Sequence, residues 1–206
     1  MGLGLILSPI SSDSSDSSSN SSSSSSPGFS RSQLQSDITL NPLLESDRLS
    51  STGTPIEWNV SDHPDMAWHT FDNVGFLASA GTPATDPRTN TLRIDLCFVD
   101  QPGVQWNWEP IVMRKRGTIR ITDVLHAIYN YFQLQLTHPE FDIIKSYGKR
   151  NERIVVKSWR ERAAQSGEAQ SLILNSGLRR VDCLGSSKNF AGLWVDGSRL
   201  KLGLRA

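Results

Sequence analysis

The chain has 206 residues, of which 37% are hydrophobic, and its 21 lysines and arginines balance 21 aspartates and glutamates. A net charge of zero excludes the strongly basic class that coats nucleic acid through charge alone, and 206 residues suffice for one domain or two small ones. No apolar run reaches the roughly 18 residues that a bilayer-crossing helix needs, so no membrane partner is expected.

Residues 11–26 are serine except for Asp13, Asp16 and Asn20. Such a stretch buries too little apolar surface to offset the entropy of ordering its backbone. All six tryptophans lie after residue 55. These features predict a disordered tail over residues 1–52 and one folded domain over 53–206. Two basic residues, Arg31 and Arg48, face five acidic ones in residues 1–55. The rest then holds 19 basic against 16 acidic residues, a mild excess of about +3. The opening Gly2–Leu7 lacks the lysine or arginine of a secretion signal. It has Ile6 where a myristoylation signal needs serine or threonine. The expected location is therefore cytoplasmic or nuclear. Ser8-Pro9, Ser26-Pro27 and Thr54-Pro55 fit proline-directed phosphorylation and equally fit a plain linker.

Ile56–Val60 reads as a short strand entering the domain. The segment Pro83–Pro87 must be extended, because residues before proline avoid the helical region. Leu92, Ile94, Leu96 and Phe98 alternate with Arg93, Asp95 and Cys97, the period of a strand with one buried face. Pro102-Gly103 suits a turn, and Val104, Trp106 and Trp108 alternate beyond it, so the two runs predict a β-hairpin. A short strand is expected over Thr118–Ile121.

Thr122 is the expected cap of a first helix, with Asp123 in its first turn. Ile121, Leu125, Ile128 and Phe132 make its apolar stripe, widened by Val124 and Tyr129, and His126, Asn130 and Gln133 fall on the solvated side. Thr137-His138-Pro139-Glu140 is a capping box that opens a second helix. A third helix covers 149–165, with Val155, Val156, Trp159 and Ala163 as its buried face. Arg179–Leu184 reads as a strand. Leu193–Val195 and Leu200–Leu204 flank Asp196-Gly197 as a hairpin, a turn that would pair Leu193 with Leu200. Strands, then helices, then strands predict an α+β domain. The expected form is an antiparallel sheet of about four to six strands with two or three helices on one face.

The chain contains no P-loop, no G-x-S-x-G, no H-E-x-x-H and no C-x-x-C, so no cofactor or metal is expected. Cys97 and Cys183 lie too far apart in sequence to suggest a disulfide framework. A Cys183–His126 nucleophilic pair oriented by Asp123 or Asp182 is the one hydrolase-like constellation. Against it, a cysteine in a strand is usually a small buried hydrophobe. Trp106 and Trp108 suit base stacking, although alternation inside a hairpin favours a core role. Arg150, Arg153, Lys157 and Arg160 share one face of the third helix, with Arg114, Lys115 and Arg116 as neighbours to be tested. That stripe is the candidate interaction face, for an acidic protein first and for nucleic acid second.

Several stretches, in order, also resemble an uncharacterised domain family abundant in mushroom-forming fungi, a domain of unknown function. They include Ile56-Glu57-Trp58-Asn59-Val60, Pro83–Pro87 leading into Leu92-Arg93-Ile94, and Asp123–Tyr129. Arg153, Trp159 and Arg160, then Arg180–Leu184 and Phe190–Leu193, complete the series. The resemblance covers about residues 56–205 and departs at Gln105-Trp106, where the family shows proline before tryptophan. It implies a basidiomycete source and a small α+β domain, and it implies no activity. The expected function is a non-enzymatic, intracellular protein-interaction module.

Overall fold

A computed structural model of the chain describes residues 38–46, 54–69, 81–96, 108–197 and 199–206. The chain divides into units 1–32 and 33–206, and all described residues belong to the second. In chain order its elements are β1 (Thr39–Leu40), β2 (Ile56–Glu57), β3 (Trp68–His69), β4 (Thr85–Asp86), β5 (Thr91–Leu96) and β6 (Ile111–Arg114). The helices α1 (Ile121–Gln133), α2 (His138–Ser146), α3 (Lys149–Gln165) and α4 (Gln170–Asn175) follow, and β7 (Asn189–Asp196) and β8 (Arg199–Arg205) close the chain.

The main sheet has four strands in the order β6-β5-β8-β7. In β5, Leu92 and Ile94 are buried while Thr91 and Arg93 face solvent, as the period-2 pattern predicts. Its antiparallel partner is β6, with Ile94 opposite Ile111 and Leu92 opposite Met113. The expected second hairpin strand begins at Val104, and residues 97–107 lie outside the described residues. On its other side β5 runs parallel to β8, with Ile94 opposite Leu200. The sheet is therefore mixed rather than purely antiparallel. A parallel pair needs a long crossover, and the whole helical region lies between β5 and β8.

β7 and β8 form the expected hairpin in a different register, with Leu193 opposite Leu202 and Val195 opposite Leu200. The closing pair of the hairpin is Asp196 with Arg199, and Gly197 follows β7. Gly197 has φ of 60°, which the first central position of such a turn demands.

α1 buries Ile121, Val124, Leu125, Ile128 and Phe132 against β6 and the sheet. It starts one residue before Thr122, because Asp123 accepts the Arg120 N–H at 2.8 Å and makes Arg120 the cap. Arg120 forms only an isolated bridge with Pro83, so no strand forms over 118–121. The Thr137–Glu140 capping box opens α2 as expected, and α3 spans 149–165 as expected.

Arg180–Leu184 is a tight 3-10 turn, not a strand. Four consecutive residues, Val181, Asp182, Cys183 and Leu184, are buried there. A short continuous buried run fits a strand or a buried helical turn equally well by pattern. The turn packs against α1 and α3. Ile144, Val155 and Cys183 form a small second core beside the main one.

Residues 38–46, assigned to the tail by composition, are part of the fold. Leu40 and Leu44 are buried, Leu44 completely, and β1 pairs with β4. Composition over a 50-residue window is dominated by the serine run and hides a segment of nine residues.

Candidate functional site

One turn of α3 every 3.6 residues separates its two faces. Val155, Ser158 and Ala163 are buried. Arg150, Arg153, Lys157 and Arg160 all reach solvent on the other side, as the spacing predicts. Val156 does not belong to the buried stripe. It is half-buried on the outer side, where it lines a shallow depression of about 410 Å³ with Glu152, Arg153, Lys157, Arg160 and Glu161. Trp159 is also only half-buried, and its indole N–H is enclosed without an acceptor among the described residues.

The electrostatics of this face set it apart. Lys157 lies 3.6 Å from Glu161, and both are exposed. Arg150, Arg153 and Arg160 form no ion pair among the described residues, whereas Arg93, Arg162, Arg180 and Arg199 each face a carboxylate. Lys115, a proposed neighbour of the stripe, is instead held at the start of α1 by Asp123, at 2.8 Å. The depression thus combines a small apolar floor with two arginines, Arg153 and Arg160, that form no ion pair among the described residues, beside the Lys157–Glu161 pair. Such a surface suits an acidic group with an adjacent apolar contact.

The hydrolase-like constellation does not assemble. Cys183 packs with Ile144 and Val155. Burial, aided by the carboxylates of Asp182 and Glu140, pushes its thiol well above the ordinary range. A thiol so placed supplies little thiolate. His126 packs edge-on against His63, with ring centres 5.3 Å apart. Asp123 is engaged by Lys115, and Asp182 by Arg162. Neither carboxylate is left to orient the imidazole. No group of three or more histidine, cysteine, aspartate or glutamate side chains among the described residues is placed to hold a metal.

Trp108 is half-buried and meets Tyr131 and Phe132 edge-on at 6.3 and 6.5 Å. Its face is covered by the Arg180 guanidinium at 5.2 Å, so it belongs to the packing of the domain. Trp106 lies outside the described residues. Arg180 also sits 4.5 Å from the Tyr131 ring centre and binds Glu140 at 2.8 Å. Burial pushes the Tyr131 phenol up to about 12. Sequence reasoning does not find this cluster. Its one legible member is Glu140, which the capping box places at the start of α2 without saying which cation it meets.

Residues 56–201 match the model of a family of unknown function, DUF6699. The chain belongs to DUF6699. No curated protein and no solved structure matches it. The DUF6699 match runs from β2 into β8 and includes all of α3 with its basic outer face. Residues 38–46, although packed into the core, lie before the first matched residue of the DUF6699 domain.

Proposed function

We propose that this DUF6699 domain is a non-enzymatic interaction module that receives an acidic protein segment on the outer face of α3. The observation that carries the reading is the depression around Val156, edged by Arg153, Lys157 and Arg160, with both arginines outside any ion pair among the described residues. Arginine beside a small apolar floor is a frequent composition at protein interfaces, where guanidinium groups supply both charge and contact area. The same reading takes the protein as cytoplasmic or nuclear and its source as a mushroom-forming fungus.

Nucleic acid is the second reading, supported by four exposed cations on one helix. Glu152 and Glu161 interrupt that stripe, and the small positive excess of the domain disfavours a polyphosphate track. The test uses the full chain and an Arg153→Glu/Lys157→Glu variant. Both substituted residues are exposed, so the fold should persist. For a protein partner the variant should lose one partner, chiefly through a slower association rate. Random-sequence duplex DNA should bind weakly to both proteins. Tight DNA binding by the wild type, with a log–log salt slope of about −4 to −6 that the variant loses, would favour nucleic acid instead.

A further inference from the structure

Residues 39–46 lie in the domain as a bound peptide lies in a receptor. At one end β1 pairs antiparallel with β4, Leu40 facing Thr85, and the Asn41 N–H donates to Ala84 O at 2.9 Å. The Asn41 side-chain amide donates to Pro83 O at 3.0 Å. At the other end, Leu193 of β7 donates its N–H to Leu44 O and accepts the Ser46 N–H, both at 2.7 Å. Between these ends the segment makes a single turn closed by Leu44 N–H on Asn41 O. Leu40 and Leu44 are the two apolar anchors, both buried.

The wall of this slot is shaped for a backbone. Gly192 has φ of +93°, and a Cβ there would lie 2.7 Å from Ser46 Cα. Only glycine combines that conformation with that approach. Every wall residue named here, Pro83, Ala84, Thr85, Gly192 and Leu193, falls within the DUF6699 match, and the segment that fills the slot falls outside it. Pairing at a strand edge by main-chain hydrogen bonds, with side-chain pockets that set specificity, is a general way of recognising peptides.

We infer that the slot between β4 and the β7 edge is a peptide-docking site, held in this chain by its own residues 39–46. It takes a partner segment that is extended at both ends, with two leucines four residues apart and asparagine after the first. This goes beyond the α3 reading and uses different residues. In the resting chain the site is closed in cis, and a partner of this chemistry competes with residues 39–46 for it.

The experiment uses the full chain with Leu40→Asp and Leu44→Asp, which empties the slot, and a fluorescent peptide of residues 38–46 as the probe. The variant should bind the peptide saturably, and its thermal midpoint should rise with peptide concentration. Wild-type chain should bind at least about tenfold more weakly, because its slot is filled. The same peptide carrying Leu44→Asp should not bind. Should the variant fail to fold, a wild-type chain with a protease site in place of residues 47–53 decides the matter. After cutting, the labelled peptide should exchange with the severed segment. A folded variant that ignores the peptide, or a cut chain that refuses exchange or unfolds as the segment leaves, overturns the inference. A wild-type chain found as a dimer with exchanged segments would assign the slot to a second copy and overturn it too.

Discussion

Arg162 grips Asp182 with two parallel hydrogen bonds, Nε to Oδ1 at 2.8 Å and Nη2 to Oδ2 at 2.7 Å. The carboxylate is wholly buried and the guanidinium nearly so. Asp182 also accepts the Arg179 N–H at 2.8 Å, and Arg162 reaches Gly177 O. One ion pair thereby ties α3 to the 180–184 turn and to the loop before it.

Removing one partner of such a pair leaves an uncompensated charge in the interior. Arg162→Ala should therefore destabilise the domain by about 3–5 kcal/mol. Urea denaturation of variant and wild type measures this. A loss below about 1 kcal/mol would mean that water reaches Asp182.

Leu44 is the most deeply buried residue of the N-terminal segment. Leu44→Ala should cost about 2–5 kcal/mol, the usual range for emptying a buried leucine site. For the same reason deletion of residues 1–46 should lower the thermal midpoint well below that of a 1–37 deletion. Equal midpoints would show that the segment contributes nothing to stability.

The Glu140 carboxyl sets an acid limb of stability. Burial by itself would raise its pKa, but the Thr137 N–H and hydroxyl and the Arg180 guanidinium outweigh burial and hold it below its ordinary 4.5. A depressed pKa means that this stability is complete above about pH 4.5 and is lost as pH falls through the lower, folded value. Glu140→Gln should lower stability at pH 7 by about 1–3 kcal/mol and flatten part of the decline below pH 4.5. Stability curves against pH for the two proteins provide the comparison.

Cys183 should be chemically silent in the folded protein. With Cys97→Ser it is the only thiol in the chain, and burial raises its pKa. At a fixed pH, alkylation should then follow the unfolding equilibrium across a denaturant series. Rapid labelling of native protein at pH 7 would reopen the nucleophile reading.

How much of the fold was legible follows from the range of each signal. The α1 stripe, the Thr137 capping box and the β5 alternation are local patterns, complete within a dozen residues, and the structure keeps them. The Arg180–Leu184 turn reads as a strand from sequence because an unbroken buried run has no period to separate a strand from a helical turn. The β7–β8 register moved by two residues because Asp196-Gly197 and Gly197-Ser198 both satisfy turn chemistry. The pairing of Asp196 with Arg199 is what distinguishes them. On α3 the exposed cations were legible from spacing, whereas Val156 changed sides because its neighbours in space decide which flank of the stripe is covered.

The sequence by itself determined the α+β class, the two long helices α1 and α3 and the exposure of Arg150, Arg153, Lys157 and Arg160. These depend on hydrophobic period and capping, which short stretches of chain carry. Tertiary structure alone decided that β5 runs parallel to β8, that Arg162 answers Asp182, and that Leu40 and Leu44 close a slot beside Gly192. Each of these joins residues far apart in the chain. No local periodicity encodes which buried carboxylate meets which cation, or which strand edge receives a short apolar segment that follows a serine-rich run. The physical reason is that burial is a property of the assembled surface, fixed only when distant elements meet.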